Sequence, residues 1–81
     1  RRIVFRDEPL REIADRFNRM NRVRLHVDDS VAGALRLTGN LKANDLASLR
    51  AFLDEHPTLT TTTSNGEIRV RSRHAPVSGT Y

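Results

Sequence analysis

The stretch LREIADRFNRMNRVRLHV, residues 10–27, decides the fold. Leu10, Ile13, Ala14, Phe17 and Met20 recur at helical spacing and form one apolar stripe, which predicts an amphipathic helix. Asn21 is a fitting stop. Beyond it the period changes: Val23, Leu25 and Val27 alternate with Arg24 and His26, the pattern of a strand with one buried face. Immediately upstream, IVFRD (3–7) sets Ile3 and Phe5 on one face of a short strand. Asp7 or Glu8 is placed to cap the helix, with Pro9 in its first turn, where a missing N–H is harmless. The order is strand, helix, strand.

The same order returns downstream. DDSVAG (28–33) reads as a turn-rich connector, and LRLTGNL (35–41) places Leu35, Leu37 and Leu41 on one face of a strand. Asn44 or Asp45 caps a second helix carrying Leu46, Leu49, Phe52 and Leu53, which ends at His56-Pro57. In LTTTTSNGEIRVRSR (59–73), Asn65-Gly66 marks a two-residue type I′ hairpin, because both positions need positive φ. Counting outward from it pairs Thr63 with Ile68, Thr61 with Val70 and Leu59 with Ser72 on the inner face. Thr62 with Arg69 and Thr60 with Arg71 then form the outer face. The threonine run is β-branched strand material rather than linker. The sum is βαβ followed by βαββ, an α+β domain in which two helices pack between two small β-sheets. It is expected to occupy residues 1–74, with 75–81, which show no periodicity, as a flexible tail.

Length and composition bound the function. Eighty-one residues make one small domain, and a chain of that size buries only about 60% of its unfolded surface. There is no cysteine, so disulfides, thiolate metal sites and redox motifs are excluded. No apolar run approaches the roughly 20 residues of a membrane helix, and the opening residues do not read as a signal peptide. The opening Arg1-Arg2-Ile3, without methionine, reads as a fragment of a longer chain.

The net charge is +4, and all the basic residues but Lys42 are arginine. On the first helix the charges largely cancel: Glu12 with Arg16 and Asp15 with Arg19 stand at i,i+4, acid first, and Arg11 reaches Asp15. Arg50 and Asp54 repeat the spacing on the second helix. Uncompensated charge is expected at Arg22, Arg24, Arg36, Arg69, Arg71 and Arg73. An RNA-binding sheet would interleave aromatic residues for base stacking. Here Phe5, Phe17 and Phe52 point inward and Tyr81 lies in the tail, so nucleic acid is not an expected partner.

Nothing signals catalysis, metal or cofactor binding. His26, His56 and His74 match no zinc spacing. Asp28-Asp29 reads as a turn, TGNLKAND lacks the phosphate-loop spacing, and no serine sits in a nucleophile elbow. A domain this thin is expected to leave little room for a ligand pocket of about 300 Å³ or more.

Residues 5–19, F-x-D-x-P-L-x-E-I-A-x-x-F-N-R, resemble the start of the C-terminal domain of FecR-like sigma regulators. Downstream, the D-x-x-V-A connector, the L-T-G-x-L strand, the D-x-x-x-L-x-x-F-L helix and the closing hairpin are similar to the rest of that domain, so the resemblance spans about residues 3–73. The same architecture, the short N-terminal (STN-like) domain, occurs in secretins and TonB-dependent transducers. This chain departs from the transducer pattern at Ala43-Asn44-Asp45, before the second helix, and at Phe52–Pro57, where transducers carry a glycine-containing turn.

The resemblance implies a periplasmic domain of a single-pass inner-membrane protein of a Gram-negative bacterium. It would receive a signal from the signalling domain of an outer-membrane TonB-dependent transducer. Through its cytoplasmic part, the parent would control an extracytoplasmic-function sigma factor for iron-siderophore uptake genes. A protease-accessible end at Tyr81 would suit that signalling. The alternatives are the transducer's own signalling domain and a secretin-type assembly module. Docking is expected at exposed strand edges, in residues 35–41 and 23–27, by a monomeric domain. Leu35, Arg36, Leu37, Thr38, Asn40 and Leu41 would make the contact, with Arg24, Arg36 and His26 steering an acidic partner.

Overall fold

The computed structural model describes residues 1–73; the expectations for His74, for the tail at 75–81 and for Tyr81 lie outside them. In chain order the elements are β1 (Arg2–Pro9), α1 (Leu10–Met20), β2 (Arg24–Val27), α2 (Ser30–Ala34), β3 (Arg36–Lys42), α3 (Leu46–Glu55), β4 (Leu59–Ser64) and β5 (Glu67–Ser72). They form an α+β fold. β1 pairs antiparallel with β3 in a two-stranded sheet, and a three-stranded sheet has the order β2-β5-β4. The helices α1 and α3 pack between the two sheets. The two halves are therefore interleaved: β1 takes its partner from the second half, and β2 pairs in parallel with β5.

The core is the sum of the apolar stripes. Ile3 and Phe5 of β1, Leu10, Ile13, Ala14 and Phe17 of α1, Leu25 of β2, Leu37 of β3, Leu49 and Leu53 of α3, and Leu59, Ile68 and Val70 of the hairpin are all buried. Met20, assigned to the stripe, is 44% exposed because α1 ends there and Asn21 turns the chain away. Asn21 donates to the carbonyls of Phe17 and Ala43 (3.1 and 2.7 Å), tying the helix end to the β3–α3 connector. Phe5 and Phe52 meet edge to face, with centroids 5.5 Å apart. Gly39 lies beneath them, where a Cβ would come within 2.8 Å of the Phe5 ring.

The hairpin has the expected register from Leu59↔Ser72 to Thr63↔Ile68, and Asn65 and Gly66 both adopt positive φ (51° and 75°). The start of α1 differs from expectation. Asp7 and Glu8 do not cap the helix; β1 runs on to Pro9 through a bulge in which Asp7 takes φ 50°, a conformation aspartate tolerates better than most residues. Pro9 stands opposite Arg36 in a pair that exchanges no backbone hydrogen bonds, so its missing N–H leaves the ladder intact.

The segment read as a plain connector contains α2. Its N-cap Asp29 accepts from the Ala32 N–H (2.8 Å) and, with its second oxygen, from the Ser72 N–H (2.9 Å). A five-residue helix is too short to show periodicity in sequence, so only the cap could have announced it. The Ala32 amide, followed by that of Ser72, holds the Asp29 carboxyl below its ordinary value of 3.8. The Ser48 amide and hydroxyl do the same for Asp45, the N-cap of α3. A depressed folded value means stability that is complete above 3.8 and lost as pH falls through the folded value. Asp29→Ala is therefore expected to lower stability by about 1–2 kcal/mol at neutral pH. The gap from wild type should narrow in urea titrations as pH falls below 3.8 and through the folded value, since protonation already weakens both bonds; an unchanged gap at acid pH would contradict the ionic cap.

Candidate functional site

A small sandwich of two open sheets has four strand edges, each a row of backbone N–H and C=O groups that either bonds inside the molecule or offers itself to another chain. Three of the four carry bonds to some of their outward backbone groups. On β2 the Asn18 side chain accepts from the Leu25 N–H (2.7 Å) and donates to the Leu25 carbonyl (3.1 Å), filling the place of a neighbouring strand. On β4 the Thr61 N–H goes to Asp54 (3.0 Å), the Leu59 N–H to the His56 carbonyl (3.1 Å), and the Leu59 carbonyl accepts from Arg73 (2.8 Å). On β1 Arg16 donates to the Val4 carbonyl (2.8 Å) and Glu8 accepts from the Arg6 N–H (3.1 Å).

The fourth edge is β3. Its register fixes which groups point where. Leu37, Gly39 and Leu41 exchange hydrogen bonds with β1, flanked by the Leu10 N–H to Leu35 carbonyl and Ala43 N–H to Arg1 carbonyl bonds (2.9 and 2.8 Å). By alternation the amides and carbonyls of Arg36, Thr38 and Asn40 point away from β1. Among the described residues no backbone group or side chain bonds to them. Only the Lys42 carbonyl, at the strand's end, accepts a bond, from Asp45 (3.2 Å).

The surroundings of this edge are mixed. On the outer face of the β1–β3 sheet stand Arg2, Arg6, Arg36 and Lys42, all exposed, with Val4, 45% exposed, among them. The carboxylate on this face is Asp7, which pairs with Arg36 (3.1 Å). Beside the edge an open hollow of about 370 Å³ is bounded by Leu37 and Thr38 on one side and by Phe52, Glu55, His56 and Pro57 of the α3 end on the other. A second open hollow, of about 440 Å³, lies by Arg19, Met20 and Asn44. Both exceed the volume expected of so thin a domain, because they are surface depressions; the interior void, between Ile3, Phe17 and Leu49, is about 10 Å³.

The residues assigned to docking from sequence fall into two groups on different sheets. Leu35, Arg36, Leu37, Thr38, Asn40 and Leu41 lie on or beside the open edge, with Arg36, Thr38 and Asn40 exposed and Leu37 buried. Arg24 and His26 are on the outer face of the three-stranded sheet, where His26 meets Glu67 (3.0 Å). Within the edge expected to be open at 23–27, Leu25 is taken by Asn18. Sequence pattern could not have found this, because an asparagine on a helix flank reads like any solvated polar residue.

The charge map is corrected too. Arg16 turns to Glu8 (2.7 Å) rather than Glu12, and no Asp15–Arg19 or Arg11–Asp15 pair forms among the described residues, whereas Arg50 and Asp54 approach to 3.9 Å. Arg36 and Arg69, assigned as uncompensated, pair with Asp7 and with Asp28 (2.8 Å). Phe5 and Phe17 are buried and Phe52 is half-buried, so the arginine-bearing outer faces carry no aromatic ring among the described residues. No group of three or more His, Cys, Asp or Glu side chains with metal-binding geometry occurs among the described residues, and no described helix is long and apolar enough to cross a membrane. No protein-family model and no curated protein matches the chain.

Proposed function

We propose that this domain is a protein-docking signal receiver: the periplasmic domain of a FecR-like sigma regulator, engaged by the signalling domain of a TonB-dependent outer-membrane transducer. The order and spacing of the motifs in residues 3–73 support the family assignment. The observation that carries the docking role is the β3 edge: among the described residues the outward amides and carbonyls of Arg36, Thr38 and Asn40 bond to nothing, whereas each of the other three edges carries side-chain bonds, from Asn18, Arg16, and Asp54 with Arg73. A sheet edge with no side chain bonded to its outward backbone groups is suited to strand addition.

On this reading the partner's signal passes as a difference in affinity for two states of the parent protein. The parent, anchored in the inner membrane, relays it through its cytoplasmic part to the sigma factor controlling siderophore-uptake genes. The domain itself needs no cofactor or metal for this. The test is a titration of isotope-labelled domain with the transducer's signalling domain, followed by backbone amide shifts. Shifts are expected to concentrate at 36–42 and to leave Leu25 and Thr61 unmoved. A titration that moves no amide would remove the receiver role, and one that moves only β2 or β4 would relocate it away from β3.

A further inference from the structure

Resting on that reading, we infer that the β3 edge selects an extended partner segment in which acidic side chains alternate with apolar ones. The segment's backbone would bond to the outward amides and carbonyls of Arg36, Thr38 and Asn40, and its side chains would then alternate between the two faces of the enlarged sheet. On the outer face they would stand beside Arg36 and Lys42 and within reach of Arg2 and Arg6, four cations against the one carboxylate of Asp7. On the inner face they would enter the hollow between Leu37 and the Phe52–Pro57 end of α3. Outward acids and inward apolar groups match both sides at once.

A second copy of the chain is a poorer occupant. Antiparallel self-pairing of β3 centred on Gly39 sets Arg36 opposite Lys42, and like charges directly opposed disfavour a pair. A basic or uniformly apolar strand would leave the outer face repelled or unmatched. The selected pattern is therefore as specific as the edge itself.

The test uses four peptides of seven residues, the length of β3: alternating valine and glutamate, alternating valine and lysine, and two forms of the glutamate peptide, N-methylated at alternate amides in one phase or the other. The glutamate peptide is expected to shift amides 36–42 and to bind about tenfold more tightly than the lysine peptide at low salt, the gap narrowing as salt rises. Methylation in one phase should abolish binding and in the other should leave it, because only alternate amides face β3. Arg36→Glu combined with Lys42→Glu should reverse the preference; both side chains are exposed, and the fold is checked by the unchanged shifts of β4 and β5.

Equal binding of the acidic and basic peptides, or loss of binding in neither methylation phase, would overturn the inference. So would concentration-dependent self-association through 36–42, which would seat a second copy on the edge. If the peptides fail while the transducer's signalling domain still shifts β3, the receiver role stands and the alternating acidic segment falls. If the signalling domain also moves nothing, both fall.

Discussion

Phe5→Ala is expected to remove most of the folding stability of this domain. The ring is 1% exposed, packs edge to face on Phe52 at 5.5 Å, and covers the bare backbone of Gly39. Truncation removes its apolar contacts and leaves a hole with no side chain at position 39 to collapse into it. Buried Phe→Ala changes cost about 3–5 kcal/mol. At roughly 0.05–0.15 kcal/mol per residue, a domain of 81 residues holds about 4–12 kcal/mol in total. The loss is a large fraction of that, so urea midpoints should fall steeply and near-ultraviolet signals should broaden. Val4→Ala is the matched control. It is the neighbouring residue, 45% exposed on the opposite face of the same strand, and should change stability by no more than about 0.5 kcal/mol. Comparable losses at the two positions would show that β1 does not bury the face described.

The second large effect is expected at Asn18. Asn18→Leu keeps the size of the side chain and removes both bonds to Leu25, leaving an amide and a carbonyl beside a group that bonds to neither. Each unsatisfied buried group costs about 1–3 kcal/mol, and at this half-buried edge water recovers part of it, so about 1–3 kcal/mol in all is expected. The variant should also self-associate with rising concentration by light scattering, since its β2 edge becomes available. Asn18→Asp retains the acceptor for the Leu25 amide and loses the donor to its carbonyl, and should fall between the two. A monomeric Asn18→Leu protein of wild-type stability would mean that the asparagine does not hold this edge.

Much of the fold was legible because its signals are local. Asn65-Gly66 dictates the hairpin and hence every pair from Thr63↔Ile68 outward. The stripe from Leu10 to Phe17 and the alternation in 23–27 and 35–41 fix which faces turn inward. Signals that depend on distant partners were not legible. The bulge at Asp7 needs β3 opposite it, since Thr38 accepts from its amide (2.9 Å) and Arg36 bonds its carboxylate. Five residues of α2 are too few for a period. The ion pairs followed space rather than the i,i+4 rule, because Arg16 found Glu8 and the Val4 carbonyl closer to hand. The candidate site divides in the same way: which strands exist could be read, but which edges remain open depends on side chains from other elements.

The interleaving of the two halves bears on how the chain comes to be folded at all. As a polypeptide is synthesised from its N-terminus, β2 is complete long before β5, its single sheet neighbour, has been made. The first repeat can close no sheet by itself, and the parallel β2–β5 pairing must wait for a contact that spans about half of the sequence, the kind that slows folding. A nascent or truncated chain ending before Glu67 would present β2 without a neighbour beyond its asparagine surrogate, so the architecture makes maturation of this module an all-or-nothing event timed by its last strand.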